Sequence, residues 1–167
     1  RGLVEDYLVA LRDVLRTDAV FFGHSMGGVV AYHVLAAMED DPSLSWRRPT
    51  DLVLSASAAP ADLRVAGYSS LPERRLLAHL RSFGALPDEV VNDRDLVALF
   101  LPAFRADYRV LAEAQLIPPT PLDVRTHLVL GERDDQAPPS KAPAWQRYIA
   151  GPIDTHVLPD AGHMYVQ

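Results

Sequence analysis

Hydrophobic residues along the chain follow patterns that predict alternating helices and strands. Helices are predicted over residues 2–16, from Ser25 to about Met38, and over about 140–149. Short runs rich in Val, Leu and Phe predict buried strands at about 19–22, 52–54, 126–130 and 155–158. Strands and helices that alternate in this way are typical of parallel βαβ units. The pattern therefore predicts an α/β fold with a mostly parallel sheet.

This alternation stops between Ala59 and Pro121, where no strand pattern is visible. Two segments in this region have hydrophobic residues at helical spacing, Glu73–Phe83 and Asp95–Gln115. A helical insertion between two sheet strands predicts a cap, or lid, over the carboxyl edge of the sheet at about residues 60–120. Ordinary crossover helices are the alternative. We expect residues 1–167 to form a single domain around one core.

A sharp turn is predicted where the first strand meets the second helix. The pentapeptide Gly23-His24-Ser25-Met26-Gly27 fits the G-x-S-x-G nucleophile elbow. Glycines two residues before and after the serine leave room for the strand and helix backbones to approach closely. Ser25 is therefore the candidate nucleophile. The N–H of Met26, at a helix N-terminus, is the candidate oxyanion donor.

A serine nucleophile needs a base, and the base needs a carboxylate to orient it. In α/β-hydrolases these residues follow in the order Ser, acid, His, which Ser25, Asp134 and His163 satisfy. Asp134 and His163 each follow a predicted strand, where an open α/β sheet places its site. Asp135 is the alternative acid, whereas Asp160 is too near His163 in sequence to bridge back to it. The other five histidines are expected to be structural.

Composition excludes several classes of site. The formal net charge of −6 and the absence of a Lys/Arg run argue against a nucleic-acid partner. The chain has no cysteine, which excludes disulfides and thiolate chemistry. Its histidines lack the spacing of metal ligands, so we expect no metal. The longest apolar run, Val29 to Met38, is too short to span a membrane.

Four segments together resemble the type II thioesterases that accompany polyketide synthases and nonribosomal peptide synthetases. They are Gly23–Gly28, the cap segment Leu101–Tyr108, Gly131-x-x-Asp134 and Gly162-His163-Met164. The resemblance implies an α/β-hydrolase fold and a cytoplasmic enzyme without a cofactor. Its reaction would be hydrolysis of acyl groups on the phosphopantetheine arm of an acyl or peptidyl carrier protein. By position, Ser25 would be the nucleophile, His163 the base and Asp134 the acid.

Chain-terminating thioesterases, a related group, usually carry the acid just after the strand that follows the elbow helix. Here that strand ends Leu54-Ser55-Ala56-Ser57, with no carboxylate before Asp62, which favours the type II family and Asp134. The family also has strands before the elbow, a loop with a second oxyanion donor, and a final helix. We therefore expect the chain to be truncated at both ends, with the second donor upstream of it.

Two other functions remain open at this stage. A general serine carboxylesterase or an acyltransferase would use the same elbow, and an inactive protein of this fold could serve in binding. If the substrate is a carrier protein, which is generally acidic, docking needs a local basic patch. Arg74, Arg75 and Arg81 on the first cap helix are candidates, with a solvated helix face as the alternative.

Overall fold

Four parallel strands form one sheet, in the order β1-β2-β3-β4, in the computed structural model, which describes residues 2–166. In chain order the elements are α1 (Gly2–Val14), β1 (Val20–His24), α2 (Met26–Glu39), β2 (Asp51–Ser55), α3 (Glu73–Ser82), α4 (Asp88–Val91), α5 (Arg94–Ala114), β3 (Arg125–Gly131) and β4 (Ile153–Leu158). Shorter 3₁₀ segments lie at Pro60–Asp62, Tyr68–Ser70 and Pro139–Arg147. The predicted α/β fold with a parallel sheet is confirmed.

The strand register brings the carboxyl ends of the strands to one edge of the sheet. His24 lies opposite Ser55 in the pairing of β1 with β2, and Ser55 lies opposite Val129 in β3. Gly131, at the end of β3, lies opposite Leu158 of β4. The loops that follow β1, β3 and β4 therefore emerge close together, as expected for a site at the edge of an open parallel sheet.

Two hydrophobic clusters stabilise the fold. The first packs α2 and the segment after β3 against the sheet, and its most buried large side chains include Tyr32, Leu54, Leu128 and Trp145. The second joins the helices α3 to α5 and includes Leu76, Leu80, Val97, Leu101 and Tyr108. Met26 and Leu63 pack against both clusters. The helices between β2 and β3 thus have a core of their own that touches the start of α2.

The helices differ from the predicted ones at two places. The segment predicted as a helix over about 140–149 is a 3₁₀ helix at Pro139–Arg147, and Pro143 lies inside it, where its ring would clash with the i−4 carbonyl of an α-helix. The four-residue helix α4 was not predicted, since one turn is too short to show a hydrophobic period. Within residues 2–166, none of the helices is long and apolar enough to cross a membrane. A single domain with a lid over about 60–120 stays a prediction.

The start of α2 passes very close to the segment after β2. A Cβ added to Gly28 would lie 2.5 Å from Oγ and 2.7 Å from Cβ of Ser57, which is itself buried. A Cβ on the neighbouring Gly27 would meet nothing within 4 Å. Gly28 therefore sets the distance between α2 and this segment, whereas Gly27 does not.

We predict that Gly28→Ala lowers the free energy of unfolding by about 1–3 kcal/mol, the usual cost of overpacking, while Gly27→Ala does not. Urea unfolding followed by circular dichroism measures both. Adding Ser57→Gly to Gly28→Ala removes both clashing atoms and should restore part of the loss. Equal effects of the two alanine substitutions would contradict this account of the packing.

Candidate active site

Ser25 sits in a strained turn between β1 and α2. Its backbone angles are φ 53° and ψ −119°, in a region that residues other than glycine rarely occupy, at a cost of about 1–3 kcal/mol. A Cβ on Gly23 would lie 2.2 Å from the carbonyl oxygen of Gly27, so only glycine fits there. The turn is held by the N–H of Ser25, which donates to the carbonyl of Ser55 at 2.8 Å. The local sequence thus forces the Ser25 hydroxyl into its position.

Two hydrogen bonds connect Ser25 to a histidine and a carboxylate. Nε2 of His163 lies 2.8 Å from Oγ of Ser25, and Nδ1 of His163 lies 2.8 Å from Oδ2 of Asp134. His163 and Asp134 are buried, with 6% and 2% of their surfaces exposed. The backbone N–H groups of Gln136 and Ala137 donate to the other oxygen of Asp134, at 2.8 and 3.0 Å. This is the geometry of a nucleophile, a base and an orienting acid.

The loop of Asp134 and the loop of His163 cross at Gly131. A Cβ on Gly131 would lie 2.5 Å from the carbonyl oxygens of both Ala161 and Gly162, so a side chain here would push the His163 loop away. The N–H of Arg133 donates to Ala161, and the Arg133 side chain pairs with Asp160. These contacts fix the distance between the acid and the base.

The electrostatic environment favours an ionised Asp134. Burial alone would raise its pKa, but the hydrogen bonds from His163 and from the amides of Ala137 and Gln136 outweigh burial and hold the pKa below its ordinary value. The neighbouring His24 has a lowered pKa, mainly because it is partly buried and also because of the charge on His163. Two imidazoles with different environments therefore share this edge of the sheet.

The structure brings the three predicted side chains Ser25, Asp134 and His163 together. Asp135, the alternative acid, is exposed, whereas Asp134 is buried and bonded to His163. Met26 is the first residue of α2, and N–H groups of a first helical turn have no acceptor within the helix. Among residues 2–166, no group of three or more His, Asp or Glu is arranged to hold a metal ion. The catalytic and oxyanion-binding roles of these residues stay predictions.

Several neighbours of the site were not predicted from the sequence. The ring of Phe83, which follows α3, meets the ring of His163 edge-on at a centroid distance of 5.3 Å. His24, Ser55 and Tyr165 form a hydrogen-bonded group beside the site. Tyr165 lies two residues after His163, which was the one signal in the sequence that could have drawn attention to it.

The thioesterase domain family model matches residues 1–167. The chain belongs to the thioesterase family. Its relatives include "Thioesterase PikA5" of Streptomyces venezuelae, which is 30% identical over 146 residues that cover 87% of this chain and 50% of PikA5. A second relative is the "AMB antimetabolite synthetase AmbE" of Pseudomonas aeruginosa, 32% identical over 84% of this chain and 6% of AmbE. The thioesterase chain thus spans half the length of PikA5.

Solved thioesterase structures have the same fold. RedJ, from the prodiginine pathway of Streptomyces coelicolor, superposes with a TM-score of 0.82 at 30% identity and covers 95% of this chain and 61% of RedJ. BorB, titled a type II thioesterase from the borrelidin biosynthetic cluster, gives a TM-score of 0.82 at 28% identity over 99% of this chain and 66% of BorB. The resemblance to type II thioesterases is therefore confirmed, and so is the α/β-hydrolase fold class.

We predict that Asp134→Asn slows the reaction of Ser25 with a serine-directed phosphonate by about 10⁴-fold, the size of the loss in kcat that the same change causes in chymotrypsin-type enzymes. An amide no longer fixes the tautomer of His163 or stabilises its charged form. Asp135→Asn is the matched control and should react normally, because its carboxylate is exposed. The rate of adduct formation, followed by mass spectrometry, measures both. Similar rates for the two variants would show that Asp134 is not the acid that orients His163.

Proposed function

We propose that this chain carries the active site of a serine thioesterase that removes acyl groups from the phosphopantetheine arm of acyl or peptidyl carrier proteins. The pair of 2.8 Å hydrogen bonds from Ser25 through His163 to Asp134 carries the proposal. Membership of the thioesterase family supports a thioester as the substrate. Relatives named as synthetase components, and neighbours titled as thioesterases of biosynthetic pathways, support a carrier-bound acyl group. A cytoplasmic location is part of the proposal.

The first half of the reaction forms an acyl-enzyme. Oγ of Ser25 attacks the thioester carbonyl carbon while Nε2 of His163 takes the hydroxyl proton. The C–S bond then breaks, and the same proton passes from His163 to the leaving sulfur. Asp134 stays ionised throughout and stabilises the charged imidazole, because the hydrogen bonds from His163 and from two amides keep the pKa of Asp134 low. The N–H of Met26 would donate to the oxyanion that develops on the carbonyl oxygen.

Water completes the reaction without a cofactor. His163 takes a proton from water as the oxygen attacks the acyl ester on Ser25. The bond to Oγ breaks, and the proton returns from His163 to Oγ, which releases a carboxylic acid and restores the enzyme. A general carboxylesterase or an acyltransferase would share these steps and differ only in the leaving group or the acceptor.

We predict that Ser25→Ala in the full-length protein abolishes turnover, since loss of the nucleophilic serine of subtilisin costs about 10⁶-fold in kcat. The wild-type protein should hydrolyse an acyl-pantetheine thioester with a higher kcat/KM than the matching oxygen ester. Parallel assays of the two substrates provide the measurement. A preference for the oxygen ester would favour the carboxylesterase, and release of acyl groups only to a second alcohol or thiol would favour the acyltransferase.

A basic strip on α3 is the candidate docking surface for the carrier protein. Arg74 and Arg75 are exposed, and Arg74 borders an open groove that Leu77, Ala78 and Val91 also line. Arg81 lies beside the same groove, but it pairs with Asp88 at 2.8 Å, which offsets its charge. Because the chain has a net charge of −6, an acidic carrier would be attracted only locally. Arg74 and Arg75 are therefore the residues we assign to this contact.

We predict that Arg74→Glu combined with Arg75→Glu raises KM for an acyl-carrier protein by about tenfold, because charges at the rim of an interface mainly affect the rate at which two proteins associate. The same double substitution should leave hydrolysis of a small acyl-pantetheine unchanged. Steady-state kinetics on the two substrates measures this. Arg16→Glu with Arg147→Glu is the control of equal charge change, since these exposed arginines precede β1 and β4 at the opposite edge of the sheet. Equal losses from both pairs would mean a general charge effect instead of docking.

A further inference from the structure

A second hydrogen-bonded chain lies beside Ser25, His163 and Asp134. It runs from Nδ1 of His24 to Oγ of Ser55 at 2.9 Å, then to the hydroxyl of Tyr165 at 2.8 Å, and ends at the carbonyl of Val129 at 2.6 Å. His24 and Ser55 are the last residues of β1 and β2, and Val129 belongs to β3. The hydrogen-bonded chain thus connects three neighbouring strands to the loop that carries His163.

Only one placement of the protons satisfies all three contacts. A carbonyl oxygen can only accept, so the Tyr165 O–H donates to Val129. The Tyr165 oxygen must then accept from the Ser55 O–H, and Oγ of Ser55 must accept from the ring of His24. His24 therefore carries its proton on Nδ1. Its Nε2 is buried and makes no hydrogen bond within residues 2–166.

Ring contacts connect this hydrogen-bonded chain to His163. The ring of Tyr165 meets the ring of His24 edge-on at a centroid distance of 5.4 Å, and His24 faces His163 at 5.6 Å. Residues 159–166, which contain His163, form no helix or strand, and the backbone hydrogen bond from Arg133 holds this loop at Ala161, two residues before His163. The Tyr165 hydroxyl ties the loop to the sheet two residues beyond His163.

We propose that Tyr165 and Ser55 are positioning residues for His163, which act by anchoring its loop to the sheet and by fixing a proton of His24 on Nδ1. This inference rests on the catalytic role proposed for His163. A misplacement of about 1 Å can cost on the order of 10²-fold in rate, so a loop anchor beside the base has a direct effect on turnover.

A neutral His24 matters because His163 becomes charged during the reaction. A second positive ring at 5.6 Å would oppose that charge. Burial, the largest effect, and the charge of His163 lower the pKa of His24, whereas the Asp134 carboxylate and a main-chain group of His163 raise it. The ring of Tyr165 packs against it without adding charge. The surroundings of His24 therefore favour its neutral form, and the hydrogen bonds place its proton on Nδ1.

The tautomer of His24 provides a test that is independent of activity. In the full-length protein with ¹⁵N-labelled histidine, long-range ¹H–¹⁵N spectra should show His24 protonated on Nδ1, with the signal assigned by its loss in His24→Gln. In Tyr165→Phe the Ser55 proton is released and can turn to Nδ1 of His24, so the proton should move to Nε2. Protonation on Nε2 in the wild type, or no change in Tyr165→Phe, would overturn the proposal.

Kinetics test the positioning itself. We expect Tyr165→Phe and Ser55→Ala to lower kcat for an acyl-pantetheine by about 10- to 100-fold, with KM unchanged. Tyr32→Phe is the matched control, since the Tyr32 hydroxyl also makes two hydrogen bonds, both to the backbone of Thr120, within the core. Unchanged kcat in both site variants, or an equal loss in the control, would overturn the proposal. If the wild type hydrolyses no thioester, the proposed function fails, and the tautomer spectra still decide the hydrogen-bonded chain.

Discussion

The close approach of β1 and α2 is the constraint on which the candidate site depends. The strand enters the helix with one residue between them, and a Cβ at Gly23 would lie 2.2 Å from a carbonyl oxygen of Gly27. The chain can turn so sharply only if Ser25 takes a positive φ of 53°. The strained turn is stabilised by the hydrogen bond from the N–H of Ser25 to the carbonyl of Ser55 and by the core beneath α2. The position of the Ser25 hydroxyl is therefore a consequence of backbone packing.

The sequence predicted those features whose signals are local. The G-x-S-x-G spacing identified Ser25, and the Gly131-x-x-Asp134 spacing after a strand distinguished Asp134 from Asp135, which the structure leaves exposed. The hydrophobic spacing gave the bounds of α1, α2 and α5 to within about two residues. Each of these features depends on residues close together in the chain, where steric and periodic rules apply directly.

The features that were missed depend on contacts between distant residues. Ser55 and Tyr165 lie 110 residues apart in sequence, and no spacing rule links them. Phe83, directly after α3, continues the hydrophobic stripe of that helix like an ordinary core residue, and only the tertiary packing brings its ring to His163. Gly131 was used as a marker of the acid, whereas its physical role is to let the His163 loop cross beside β3. Such contacts require the assembled sheet.

Asp134 illustrates how burial and hydrogen bonding act together in this site. Burial by itself would favour the protonated acid, which could not stabilise a charged imidazole. The hydrogen bond from His163, the two amide donors from the turn after β3 and the charge of His163 reverse that preference, because each favours the carboxylate. The proton consequently stays on His163, and Nδ1 remains the donor to Asp134. Nε2 is then left free to accept the proton of Ser25, which is the condition for a serine hydroxyl to act as a nucleophile.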